Sequence, residues 1–265
     1  MEVSRSYLFD GYIASLQSAL VRAQPHRHAA YQLTLSLDGK PHRLGPSLER
    51  ARAGLIHLVG SNVPHAFDGA DGEQLLLWLP PESALGRRLG HTHLQRQDME
   101  LLPQELFAGL PLDELRQALH GPAPASRVRE DVDRLLSALT QGTARPPQAV
   151  HPAVRKAVRI VGSLESARIS ADELASRVGL SKSRLLHVFK EDMGIPLRPY
   201  LQWLRCIDGI TLLAGGTSVT DAALAAGFTD GAHFNRVLKR YVCLSPSAFT
   251  GERLRVVRGV EQTPE

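Results

Sequence analysis

From residue 170 onward, apolar positions recur every three or four residues, in two blocks that repeat one another. The first block reads Ser170, Glu173, Ala175, Val178, Gly179, Leu180, Ser181, Leu185, Val188, Phe189, Lys190, and the second Ser218, Asp221, Ala223, Ala226, Gly227, Phe228, Thr229, Phe234, Val237, Leu238, Lys239. The offset is 48 as far as Thr229 and 49 beyond it. A hydroxyl residue three positions before an acid predicts a helix start closed by a capping box. Gly179 and Gly227 supply the left-handed residue a tight turn needs. Ser181 in one block, and Thr229 or Asp230 in the other, can then cap a second helix. Its core face is Leu185, Val188 and Phe189 in one copy and Phe234, Val237, Leu238 and Tyr241 in the other. Helix, glycine turn, helix is the helix-turn-helix plan, written here twice.

Upstream the period changes to two. Residues 31–37 alternate apolar and polar, and Asp38-Gly39 follows as a hairpin signal. Residues 54–59, 63–67 and 73–79 form further short apolar runs, broken at Gly60 to Asn62 and stopped by Pro80-Pro81. Short strands punctuated by Gly, Pro and Asp predict a small barrel or sandwich. Without a bulge, His26, His28, Gln32, Thr34 and Ser36 point one way and Tyr31, Leu33, Leu35 and Leu37 the other; which row faces the interior is left open. Helices are expected over 81–90, 111–119 and 126–140. In the last, Val128, Val132, Leu135 and Leu139 form a stripe that serves either to pair with its own copy or to pack on the barrel.

Prolines 146, 147 and 152 with Gly142 predict a semi-rigid spacer. The fold class is therefore α+β. The expected domains are a β-barrel at 1–110, a helical dimerisation or linking segment at 111–141, a linker at 142–152 and an all-α domain at 153–258. That last domain opens with a helix over about 153–166, apolar at Val154, Ala157, Val158 and Val161 and basic at Arg155, Lys156 and Arg159. A joining helix over about 197–213, with Pro199 in its first turn, would pack Tyr200, Leu204 and Leu212 between the two helix-turn-helix units.

Charge sharpens this division. Residues 151–265 carry 16 Lys and Arg against 11 Asp and Glu, a balance of +5, whereas residues 1–150 balance at −1. The basic excess falls on the helical half, as docking on phosphates requires. Cys206 and Cys243 make neither a four-cysteine zinc site nor a C-x-x-C redox pair. No apolar run approaches the roughly 18 residues of a spanning helix, and Glu2 and Asp10 break any signal pattern. Cytoplasm, without membrane association, is the expected compartment.

The C-terminal residues carry a resemblance. Ala175, Gly179-Leu180-Ser181, Phe189-Lys190, Gly194, Tyr200, Arg205, Leu212-Leu213, Gly227-Phe228, His233-Phe234, Arg236, Lys239 and Ser245-Pro246-Ser247 resemble the DNA-binding domain of AraC/XylS-type transcriptional regulators, over about 100 of 265 residues. The departures are Gly209 where the joining helix usually has Ala, Leu238 for Phe, Cys243 for Gly and His187 for Arg. Gly209 in a helix interior costs about 1 kcal/mol relative to Ala, predicting a softer joining helix.

More faintly, His26-Arg27-His28, Gln32 and Val63-Pro64-His65 resemble the cupin barrel that many such regulators carry as a sensor. Gln32 stands where metal-binding cupins place a carboxylate. Three imidazoles at His26, His28 and His65 suit a divalent transition metal such as Zn, Fe, Ni or Cu; the bland alternative is a solvated strand and a capped turn. His91 and His93 read as surface.

For contacts with double-stranded DNA, the first recognition helix offers Lys182, Ser183, Arg184, Leu186, His187 and Lys190. The second offers Asp230, Gly231, Ala232, His233, Asn235, Arg236 and Lys239. Arg is the bidentate reader of guanine and Asn of adenine, so Arg184, His187 and Arg236, then Asn235, are the expected base readers; Lys190 and Lys239 are expected on phosphate. The resemblance implies a non-enzymatic transcription regulator with a small-molecule or metal effector at the barrel, a homodimer, and RNA polymerase as partner if it activates. Two alternatives stay open: a metal-dependent cupin enzyme with a DNA-binding appendage, and a constitutive DNA-binding protein whose barrel senses nothing.

Overall fold

A computed structural model describes residues 3–9, 12–18, 22–94, 97–140, 150–162, 169–242, 245–250 and 254–256. The chain divides into two compact units, one formed by Met1–His26, Ala30–Pro146 and Gly251–Glu265, the other by Arg27–Ala29 and Pro147–Thr250.

The first unit holds strands β1 (Val3–Phe9), β2 (Tyr12–Ser18), β3 (Arg22–His26), β4 (Tyr31–Ser36), β5 (His42–Gly45), β6 (Arg52–Gly54), β7 (Ile56–Val59), β8 (His65–Asp68), β9 (Glu73–Leu79) and β10 (Met99–Leu101). Helix α1 (Ala84–Leu89) follows β9, and α2 (Leu112–His120) and α3 (Ala125–Thr140) follow β10. A late strand, β11 (Leu254–Val256), returns to pair parallel with β1. The strands form two sheets, β10-β7-β4-β9-β2-β1-β11 and β3-β8-β5-β6, and no closed barrel forms among the described residues. The β1–β2 hairpin, which no run of alternating residues announces, supplies two of the strands in the larger sheet.

Alternation along β4 and β9 gives the larger sheet two buried faces. Leu33, Leu35, Leu75, Leu77 and Leu79 lie in the main core with Leu115, Leu119, Val128, Val132, Leu135, Leu136 and Leu139 of α2 and α3. The leucine row thus packs under the helices, and the polar row faces the smaller sheet. Val128, Val132, Leu135 and Leu139 are at most 2% exposed within this unit. Each such side chain contributes roughly 1.5–3 kcal/mol by burial, so the stripe is spent on its own core and any self-association uses another face. The lone acid on that side of α3, Asp131, is also buried and is held by Arg127, at 3.3 Å, and by Arg134.

The second unit is helical: α4 (Pro152–Gly162), α5 (Ala171–Val178), α6 (Lys182–Met193), α7 (Leu197–Ala214), α8 (Val219–Ala225) and α9 (Gly231–Val242), then a single 3-10 turn, Pro246–Phe249. Of the expected first helix, residues 163–166 lie outside the described residues, as do Cys243 and most of the Pro-rich segment. No helix among the described residues is long and apolar enough to cross a membrane.

The joining helix α7 differs from expectation in its buried face. Tyr200 is buried, but Leu204 and Leu212 are only partly so; the rest of the core side is Leu197, Leu201, Trp203, Cys206, Gly209, Ile210 and Leu213. Gly209 has a steric reason. A Cβ there would stand 2.6 Å from the ring of Phe234, so the absence of a side chain lets α9 seat its central aromatic against α7. What the sequence presents as a propensity cost is the condition for close helix packing.

Candidate nucleic-acid interface and sensor interior

Both helix-turn-helix units are built by the same local devices. Ser170 Oγ accepts from the Glu173 amide at 3.1 Å and Ser218 Oγ from the Asp221 amide at 3.2 Å, which start α5 and α8. The expected reciprocal half of the first capping box is not made, because the Glu173 carboxylate is drawn to Arg177 one turn on. Gly179 and Gly227, with φ of 75° and 88°, make the turns. Ser181 then caps α6, accepting from the Arg184 amide at 3.3 Å. In the second unit the cap is Asp230, whose carboxylate accepts from the His233 amide at 2.6 Å. Moving the cap from Thr229 to Asp230 is where the offset passes from 48 to 49.

With Leu185, Val188, Phe189 and Met193 buried, α6 exposes Lys182, Ser183, Arg184, Leu186, His187 and Lys190. Lys182 pairs with Asp172 at 2.8 Å and His187 approaches Glu191 at 3.7 Å, both on the surface, where such pairs are worth little. These basic groups are exchangeable for phosphate at small cost.

Helix α9 presents less. Arg236 and Lys239 are exposed, and so is Arg240, one turn beyond Arg236. His233 is half-buried, its Nδ1 at 3.0 Å from Thr229 Oγ1 and its ring edge-on to Phe228. Asn235 is half-buried too, with its Oδ1 buried and unpartnered. Gly231 lies over Val219 and Thr220 with ordinary contact distances for an added Cβ, so nothing steric demands a glycine there. Of the expected contacts on α9, Ala232, Arg236 and Lys239 are exposed, whereas Gly231, His233 and Asn235 are half-buried. The sequence reading passed over Arg240, although its spacing of four from Arg236 marks a shared face.

In the first unit the inner face of the larger sheet is polar and buried. Register places Gln17 beside Gln74 and Gln74 beside Ser36 in one cross-strand row. Ser15, Leu76, Thr34 and His57 form the next. All of these except Leu76 are polar, and every one is less than 9% exposed.

Opposite, on the smaller sheet, His42 Nε2 lies 2.9 Å from His57 Nδ1, and Gln32 Oε1 lies 3.2 Å from His65 Nε2. Burial, then the neighbouring His57, pushes the His42 imidazole down to about 3, and burial pushes His57 down to about 4. Both rings are neutral near pH 7. Gln17 Oε1, Gln74 Oε1 and His42 Nδ1 are buried without hydrogen-bond partners. Sequence reasoning found Gln32, Thr34 and Ser36 but not Gln17, Gln74, His42 or His57, since single polar residues in short strands carry no signal of direction.

Of the expected metal ligands, His26 ends β3, and a register shift between Ala23 and His26 breaks the simple parity argument. The His26 and His65 rings are 4.4 Å apart. His28 falls in the second unit, where it is buried and its ring lies 5.9 Å from that of Trp203. His26 Nδ1 lies 2.9 Å from Gln24 O and His65 Nδ1 2.9 Å from Val63 O. Such carbonyl partners fix the tautomers of the two rings. The Gln32 amide, already against His65 Nε2, supplies no charge. His93 is not simple surface: its Nε2 meets the Leu139 carbonyl at 2.7 Å.

A helix-turn-helix domain model matches residues 174–252. Among relatives, the probable transcription factor PqrA of Proteus vulgaris is 32% identical over 82 residues, which is 31% of this chain and 67% of PqrA. An uncharacterized HTH-type transcriptional regulator of Staphylococcus aureus is 31% identical over 86 residues, 32% of this chain; the match spans only 12% of that regulator's length. Among solved structures, ToxT from Vibrio cholerae aligns over 91% of this chain and 97% of its own with TM-score 0.57 and 13% identity. ToxT bound to an unsaturated fatty acid aligns over 90% and 94% with TM-score 0.57 and 11% identity. At such identity the likeness is one of fold: strands first, paired helix-turn-helix units after.

Proposed function

We propose, from the premise that this chain belongs to the AraC family of helix-turn-helix transcription regulators, that it binds operator DNA through α6 and α9 and adjusts that binding to a small molecule held between the sheets of its first unit. The observation that carries the reading is the duplicated cap, left-handed glycine and amphipathic helix, each copy leaving basic side chains outward. Two recognition helices on one connector suit successive major grooves on one face of the duplex, about 34 Å apart. Lys182, Ser183, Arg184, His187 and Lys190 would meet the first groove, and Arg236 and Lys239 the second. Gly231 would allow close approach, whereas His233 and Asn235 would serve to shape α9. The proposal extends to a homodimer on paired sites, to RNA polymerase as partner where the complex activates, to the cytoplasm as location and to no catalytic role.

The inner face of the first unit suggests the effector class. Its amides, hydroxyls and neutral imidazoles, among them the unpartnered Gln17 Oε1, Gln74 Oε1 and His42 Nδ1, suit a small uncharged molecule rich in hydrogen-bonding groups. A long acyl chain, such as the fatty acid bound in the ToxT structure, would leave those polar groups unsatisfied, at about 1–3 kcal/mol each. A second reading, favoured by the adjoining His26 and His65 rings of the first unit, is that a divalent metal is the sensed species.

The test is operator binding by the full chain across a salt series, with and without polyols, amides and Zn, Fe, Ni or Cu salts. Salt-dependent, sequence-selective binding is expected. The effector must also shift operator affinity by the same factor by which operator shifts effector affinity. A compound bound between the sheets that leaves operator affinity unchanged would sink the sensing half of the proposal.

A further inference from the structure

We infer that Leu186 is a specificity-determining residue that reads the methyl group of a thymine in the groove occupied by α6. The inference rests on the DNA-binding reading above and adds to it a residue and a base.

On α6, Ser183, Leu186, His187 and Lys190 are spaced as one outward stripe, opposite the buried Leu185, Val188, Phe189 and Met193. Leu186 is 37% exposed and, with Leu224, is one of two exposed large hydrophobic residues among those described. A leucine in the middle of a polar, basic stripe gains little from its own chain. In the major groove, the apolar feature among donors and acceptors is the thymine C5-methyl. Leu186 stands in the N-terminal half of its helix, one turn past the cap, in the part of a recognition helix that meets base edges. The basic groups around it, Lys182, Arg184 and Lys190, are suited to phosphate and guanine and hold the helix against an anionic partner. In the second unit the equivalent position, 49 residues on, is Asn235, which is half-buried. The apolar reader therefore belongs to the first unit alone.

The experiment selects duplexes from a random library with the full-length protein. Each dT of the enriched sequence is then replaced singly by dU, which removes a methyl group and nothing else. Wild type is expected to lose about fourfold in affinity at one dT in the segment protected by the first unit, the worth of one buried methylene-sized group. Leu186→Ala is expected to bind dT and dU equally there while keeping its response at every other position, and Leu186→Met to restore the difference. Because the readout is a ratio between two DNAs on one protein, a change in folding does not mimic it. The inference is overturned if no dT-to-dU replacement weakens wild type, or if Leu186→Ala keeps the ratio. Absence of any enriched sequence would overturn the DNA-binding reading itself, a result distinct from enrichment without a methyl effect.

Discussion

The two recognition helices share a scaffold and differ in what they show to solvent. α6 and α9 begin at a side-chain cap, follow a glycine with positive φ, and bury the same three-residue pattern, Leu185, Val188 and Phe189 in one and Phe234, Val237 and Leu238 in the other. Outward, α6 carries Lys182, Ser183, Arg184, Leu186, His187 and Lys190, whereas α9 keeps Arg236, Lys239 and Arg240 and folds His233 and Asn235 back toward the protein. Cap, turn and core are thus the repeated part of the unit, and reading is a separable layer on top. Where α6 shows a varied polar and apolar set to solvent, the longer side chains that α9 shows are basic.

The largest expected effect breaks the comparison at its shared base. Phe234 is fully buried and fills the space left open by Gly209 on α7. Phe234→Ala should therefore cost roughly 3–5 kcal/mol, read as a lowered urea midpoint for loss of helical signal in the full chain. A loss below about 1 kcal/mol would mean that α9 is not seated on α7 through this ring.

How much of this was visible in advance follows the same division. Caps, turn glycines and the three-four period are local signals, so both helix-turn-helix units could be read from residues 170–249. The turn in which Asp230 takes over capping could be narrowed only to a choice, because Thr229 and Asp230 are both good caps. The reason for Gly209 was hidden, since it depends on a ring 25 positions away.

In the first unit the strand 31–37 was legible by alternation and 73–79 as a short apolar run, yet both faces of the sheet turned out to be buried. The polar row, whose direction alternation leaves open, lies between the two sheets. His42 and His57 meet across those sheets at 2.9 Å, and nothing in their 15-residue separation announces it. The stripe Val128, Val132, Leu135 and Leu139 shows the opposite limit: the period was right, but only the structure says which surface it covers.

A smaller effect sharpens the difference between the units. Arg184→Ala and Arg236→Ala should each relax preference at particular base pairs, by about 1–3 kcal/mol for a bidentate arginine contact. Because α6 exposes Ser183, Leu186 and His187 beside Arg184, whereas His233 and Asn235 beside Arg236 are half-buried, positions neighbouring the Arg236 contact should already be tolerant in wild type. Competition between single-base variants of a selected duplex measures both. Equal losses on selected and random DNA for Arg236→Ala would remove it from the readers and leave the second unit as an anchor only.

The smallest effect concerns that anchoring. Lys239, exposed in the last turn of α9, is placed for phosphate, a group every sequence presents alike. Lys239→Ala should therefore weaken selected and random duplexes by the same factor and reduce the slope of log affinity against log salt by about 0.9, the yield of one phosphate contact. Lys190→Ala, its counterpart 49 residues earlier, should do the same on α6. If Lys239→Ala instead changed preference at one base pair with the salt slope intact, Lys239 would be a second reader beside Arg236. The two units would then differ in which bases they read, and no longer in how many.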